Sequence, residues 1–236
     1  LEASDTSELV SQVLYGDCFK VLEQRKSWSR IRLAFDKYEG WVDNKQFKLI
    51  EESDYNTLQK ETPLLTTDLV DFITDHNQQL HPILIGSCMN GLHYLKHQFE
   101  GAKAEGSLNK SNIVNTALLY LNTPYLWGGK TPFGIDCSGF TQMVYKLNGF
   151  NILRDASQQA SQGEALSFIE ESSPGDLAFF DNNEGEITHV GIIMEDHRII
   201  HAHGKVRIDL LDHSGIYNLD TKIHSHKLRV IKKIVS

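Results

Sequence analysis

Two β-rich runs, Val190 to Met194 and Arg198 to Ala202, are separated only by Glu195, Asp196 and His197. Runs this short, joined by so short a polar turn, read as an antiparallel hairpin. With a two- or three-residue turn, His189 and His201 fall opposite or nearly opposite one another on adjacent strands. Their side chains can then approach.

Helical patterns precede the hairpin. In SLNKSNIVNTALLYLNTPY, residues Ile113, Val114, Ala117, Leu118 and Leu121 stand at helical spacing behind a Ser/Asn-rich start, and Pro124 stops the run. Next comes PYLWGGKTPFGIDCSGFTQMVYKLNGF. Gly128, Gly129, Pro132 and Gly134 make a loop and Asp136 is placed to cap a helix. Phe140, Met143, Val144 and Leu147 then recur at helical intervals until Gly149. Cys137 therefore sits in the first turn of a helix, where unpaired N–H groups and the positive end of the dipole are expected to favour the thiolate.

A thiol at a helix start can also be a small buried hydrophobe, so the histidines matter. One imidazole can take the thiol proton and return it to a leaving amine while the other orients it. His189 is assigned as base and His201 as orienter. The order Cys, His, polar residue is that of papain-like peptidases. A zinc site is the alternative for His201 and His203 on one strand face, but no cysteine pair or His-Glu-x-x-His helix supplies further ligands. No metal is expected. His203 is taken as solvent-facing or supporting, and His226, like seven further histidines, finds no partner in the sequence.

The front of the chain is different. Short strands are expected at Val10 to Leu14, Cys18 to Glu23, Trp28 to Phe35 and Glu39 to Asp43. Gly16 at the first turn, Trp28 opening the third strand and Gly40-Trp41-Val42 near the end resemble bacterial SH3-like domains. Residues 51–106, with a polar start and apolar clusters at Leu64-Leu65, Leu69 to Ile73 and Ile83 to Ile85, fit a second, degenerate SH3-like barrel or a helical insert. Three segments follow: 1–50, 51–106 and 107–236. A chain of 236 residues exceeds one small domain.

A formal charge of −8, with no Lys/Arg cluster, argues against a phosphate-binding surface for nucleic acid. No apolar run approaches the roughly 18 to 20 residues of a membrane span. The three scattered cysteines, Cys18, Cys88 and Cys137, suit a reducing compartment or a free reactive thiol rather than a disulfide framework.

Taken together, PYLWGGKTPFGIDCSGF, RDASQQ, SPGDLAFF, ITHVGIIM and IIHAHG resemble the NlpC-type cell-wall peptidases over roughly Ser111 to Val235. The SH3-like region extends the resemblance to γ-D-glutamyl-L-diamino acid endopeptidases of the dipeptidyl-peptidase VI type. It implies an α+β chain: a papain-like catalytic domain preceded by one or two small SH3-like β-barrels. It also implies hydrolysis of the bond between γ-D-glutamate and diaminopimelate or lysine in murein stem peptides carrying a free N-terminal L-alanine, with no cofactor.

By the same resemblance, Tyr125 stabilises the oxyanion together with the backbone N–H of Cys137, and Asp136 and Ser138 help bind substrate. Asp155 faces the α-ammonium of the alanine. The family often has a hydroxyl residue after that aspartate. Here it is Ala156, which leaves the D-glutamate carboxylate to Ser157 or Arg154. From the N-terminal barrel, Tyr38 and Glu2 are expected to cap the amine end.

Two other functions fit the same residues: a thiol amidase or acyltransferase on this scaffold, or a non-catalytic wall-binding protein. A monomer is expected. Peptide recycling suggests the cytoplasm, with a periplasmic or secreted location as the alternative because the chain opens at Leu1 without a methionine.

Overall fold

The computed structural model describes residues 2–235. Leu1 and Ser236, the outermost positions of the first and third expected domains, lie outside the described residues. The chain forms two compact units, Leu1–Gly106 and Ser107–Ser236.

In the first unit, β1 (Phe19–Gln24), β2 (Trp28–Leu33) and β3 (Glu39–Asp43) make an antiparallel meander. Period-two alternation explains it: Ile31 and Leu33 point inward, while Arg30 and Arg32 stay outside and pair with Glu23 and Glu39. Val10 to Leu14, expected as a strand, pairs with none. Leu9 and Val13 are exposed, and Tyr15 instead packs on the following module, where its carbonyl accepts from Cys88 N–H at 2.8 Å.

That module opens with α1 (Glu52–Leu58) and continues through β4 (Leu64–Thr66), β5 (Val70–Thr74), β6 (Leu80–Leu84), α2 (Leu92–Leu95) and β7 (Lys103–Glu105). Strand β4 pairs with β7 and β5 with β6. Ile73, Ile83 and Met89 are its core. Helices and small sheets are both present, with α2 set between β6 and β7.

The second unit begins with α3 (Ile113–Leu118), passes a short ladder of β8 (Lys130–Thr131) and β9 (Gly134–Ile135), and enters α4 (Cys137–Leu147). After α5 (Ala156–Gln159) come β10 (Glu164–Leu166), β11 (Leu177–Asp181), β12 (Ile187–Met194), β13 (Arg198–His203), β14 (Lys205–Asp212), β15 (Gly215–Asn218) and β16 (Ile223–Lys233). The expected hairpin is β12 and β13, with Met194 opposite Arg198.

Length closes the sheet. Strand β16 has 11 residues, so its first half pairs with β15 and its second half with β11. Six strands thus form a barrel and no edge remains between β15 and β11, while β10 adds along the far end of β16. Ala178, Phe180, Ile193, Ile199, Leu211, Ile216 and Ile231 form an apolar cluster. Helix α4 packs against β12 and β13, and Phe140, Met143 and Val144 are wholly buried. Each such side chain contributes roughly 1.5–3 kcal/mol, so the helix that starts at Cys137 is held firmly. The α+β architecture is the expected one. Among the described residues, no helix is long and apolar enough to cross a membrane.

Candidate active site

Asp136 caps α4: its carboxylate accepts from Gly139 N–H at 2.6 Å. The same carboxylate accepts from Gly128 N–H at 2.8 Å and takes the fork of Arg154 at 3.0 and 2.7 Å. Arg154 is 1% exposed, and it also donates to Ser138 Oγ at 2.9 Å. This buried ion pair therefore ties the loop before the helix to its first turn. Gly139 completes the joint, because a Cβ there would stand 2.3 Å from the carbonyl oxygen of Gly129.

Cys137 follows the cap and is buried. The N–H groups of Val190 and Ser138 face its sulfur and pull its pKa down, as does the Arg154 charge. Burial and the neighbouring Asp136 carboxylate outweigh them and push the thiol up to about 12. The expectation of a thiolate made by the helix start alone is thus corrected: the amides are there, but desolvation and an adjacent negative charge are stronger. The balance favours the protonated sulfur.

On the barrel, β12 and β13 bring the two histidines together, although not directly opposite. His201 lies across from Gly191, two residues beyond His189, and His189 Nε2 meets His201 Nδ1 at 2.8 Å. Glycine makes the diagonal approach possible: a Cβ at position 191 would lie 2.7 Å from Ile199 Cδ1 and 2.9 Å from His201 Cβ. Both imidazoles are buried. Burial and the surrounding imidazoles hold His189 well below the usual histidine value. His201 is lowered by burial against the pull of Asp209.

Two residues missed in the sequence complete the cluster. Asp209 on β14 is fully buried and accepts from His201 Nε2 at 3.0 Å. The signal was available in Arg207-x-Asp209, which alternates on the strand after the turn at Gly204. His226 on β16 lays its ring on that of His189, with centroids 4.1 Å apart and planes 23° apart. Only barrel closure brings it there. Among the described residues, no group of His, Cys, Asp and Glu stands where it could hold a metal ion.

Tyr125 is half-buried. Its phenol is raised by burial and then by the charges of Cys137 and Asp136, so it stays protonated as a donor in their neighbourhood. Asp155 is the cap of α5, with its N–H held by Gln158 Oε1 at 3.1 Å. Ser157 is exposed and Ala156 buried. Arg154, expected as one possible partner of a substrate carboxylate, is instead engaged with Asp136 and Ser138. In the first unit, Glu2 and Tyr38 line one cleft of about 520 Å³ together with Asp5, Glu8, Trp28 and Trp41.

Comparisons with known sequences and structures identify the fold and the family. Residues 122–225 match the NlpC/P60 family, and residues 2–47 match the bacterial dipeptidyl-peptidase Sh3 domain. The dipeptidyl-peptidase 6 of Lysinibacillus sphaericus is 30% identical over 87% of this chain and 85% of its own length. A γ-D-glutamyl-L-lysine dipeptidyl-peptidase of Bacillus cereus is 27% identical over 84% of this chain and 68% of its own length. The crystal structure of an NlpC/P60 family protein from Bacillus cereus superposes with a TM-score of 0.76 at 21% identity, covering 96% of this chain and 82% of that one. The fold is shared with that protein, and the chain belongs to the NlpC/P60 family of cysteine peptidases, with a bacterial dipeptidyl-peptidase SH3 domain at its front.

Proposed function

We propose that this protein hydrolyses the γ-D-glutamyl–diamino acid bond of murein stem peptides, with Cys137 as nucleophile, His189 as base and His201 as its orienter. The observation that carries the proposal is the buried His189–His201 contact of 2.8 Å on the strands against which the Cys137 helix packs. The names of two relatives, a dipeptidyl-peptidase 6 and a γ-D-glutamyl-L-lysine dipeptidyl-peptidase, point to the bond.

Chemistry follows from the protonation states. The Cys137 thiol passes its proton to Nδ1 of His189 as sulfur attacks the γ-carbonyl carbon, forming the S–C bond. The oxyanion is met by the N–H of Cys137, which as a first-turn group has no intrahelical acceptor, and by the Tyr125 hydroxyl. Collapse breaks the C–N bond, and the imidazolium of His189 returns the proton to the leaving amine. Water, activated by His189, then hydrolyses the thioester.

Substrate contacts are assigned to Ser138, Asp155 and Ser157. Asp136 and Arg154 act by holding Ser138 and the loop. Glu2 and Tyr38 share a cleft rich in carboxylates, which suits an ammonium group.

Mass spectrometry of products from synthetic L-Ala-γ-D-Glu-lysine and L-Ala-γ-D-Glu-diaminopimelate peptides, with free and acetylated alanine, tests the proposal. Release of L-Ala-γ-D-Glu from the free-amine peptides, and little from the acetylated ones, is expected. Transfer of the acyl group to an amine acceptor rather than water would indicate an acyltransferase, and no turnover of either peptide would contradict the proposal.

A further inference from the structure

We propose that Asp209, clamped by Arg207, is a positioning residue that sets the tautomers of His201 and His189 in series and so leaves the lone pair of His189 on Nδ1. The inference rests on His189 being the base for Cys137.

Among the described residues, the Asp209 carboxylate is met by four donated hydrogen bonds. Oδ2 accepts from His201 Nε2 at 3.0 Å and from Arg207 Nε at 2.7 Å. Oδ1 accepts from Arg207 Nη2 and from Leu219 N–H, each at 2.9 Å. The two oxygens are thereby fixed in place, with Arg207 anchored in turn by Asp220 at 2.7 Å. Burial alone would raise this carboxyl, but His201, Arg207 and the Leu219 amide hold it well below the usual carboxylate range. It is an anion with no proton to give.

An acceptor at that position requires a proton on His201 Nε2. A neutral imidazole carries one proton, so His201 Nδ1 holds a lone pair. Its partner 2.8 Å away, His189 Nε2, must then be the N–H. His189 is left unprotonated at Nδ1, the nitrogen a general base needs.

Neutrality of His201 is essential, because an imidazolium would donate from both nitrogens and reverse the tautomer of His189. The groups facing it divide by strand. His203 on its own strand and Arg207 on β14 oppose a charge on it, Asp209 on β14 favours one, and the imidazoles of His189 on β12 and His226 on β16 also face it. Burial sides with the first group. Arg207 thus has a second effect: by offsetting the Asp209 charge it lets the carboxylate order the proton on His201 without drawing a second one there.

Nitrogen-15 spectra of histidine-labelled protein at pH 7 test this directly. Both His189 and His201 are expected as Nε2–H tautomers. In D209N, whose amide can donate as well as accept, the two tautomers are expected to mix. The kcat of D209N should fall by about 100-fold or more while KM stays within about threefold, with melting curves confirming the fold. A wild-type spectrum with Nδ1–H or imidazolium at either residue overturns the inference, and so does a folded D209N with wild-type kcat. Should D209N not fold, the wild-type spectrum decides alone. The spectra contain no substrate, so they separate a failure of this inference from a failure of the peptidase proposal, which product analysis tests.

Discussion

Cys137 has two opposing surroundings, and the balance has a measurable consequence. Backbone amides and Arg154 favour the thiolate, yet burial and Asp136 push the thiol up to about 12. Where a preformed thiolate–imidazolium pair would react with iodoacetamide at a constant rate from weakly acidic pH upward, this site should behave as a thiol. Alkylation of the Cys137 peptide, followed by mass spectrometry, is expected to rise through pH 9 without a plateau. A plateau below pH 7 would show a resting ion pair. In the proposed mechanism the proton leaves sulfur as the bond to substrate forms, so the His189 lone pair matters more there than a low thiol pKa.

At the scale of elements, the hairpin β12–β13 does the positioning, and Gly191 is its weak point. The G191A variant places a methyl 2.9 Å from His201 Cβ and 2.7 Å from Ile199 Cδ1, both on a strand with little room to yield. Denaturant titration should show a loss of roughly 1–3 kcal/mol. Activity should fall further than stability accounts for, because the His189–His201 contact opens. Wild-type kcat in G191A would contradict this account.

The hairpin and α4 were legible in the sequence because their signals are local: a cap, a period of 3.6, a period of two, a three-residue turn. Val10 to Leu14 misled because an apolar segment can pack without pairing, as Tyr15 does against the second module. Asp209 was half legible. Alternation places Arg207 and Asp209 on one face of β14, but nothing local says that this face carries His201. His226 was illegible, since it reaches His189 only through the pairing of β16 with both β11 and β15.

Over the whole molecule, the polar end of the barrel makes stability depend on pH. His226 is pushed down to about 4 by burial and by His201 and His203, and His189 and His201 are lowered as well. A histidine ordinarily titrates near 6.5. Between that pH and the lowered folded values, the unfolded chain binds protons that the folded chain excludes. The stabilising contribution is therefore present above pH 6.5 and lost as the pH falls toward 4. Thermal midpoints should drop from pH 7.5 to pH 5, and the drop should be smaller in H226F, which keeps a ring on His189 but removes one titrating group. An equal drop in the two proteins would contradict the assignment to His226.

The order of segments was also visible at this scale, in the shift from short alternating strands to capped helices and apolar hairpins. The polar middle segment was not, because two short helices and two two-stranded sheets each fall below the length at which periodicity becomes distinct.

The proposed mechanism requires a covalent acyl-enzyme on Cys137. Acid-quenched mixtures of enzyme and L-Ala-γ-D-Glu-lysine peptide, digested and examined by mass spectrometry, measure it most directly. The Cys137 peptide is expected to carry the L-Ala-γ-D-Glu acyl group in the wild type, with neither adduct nor turnover in C137A. Turnover by C137A, or the adduct on any other residue, would contradict it.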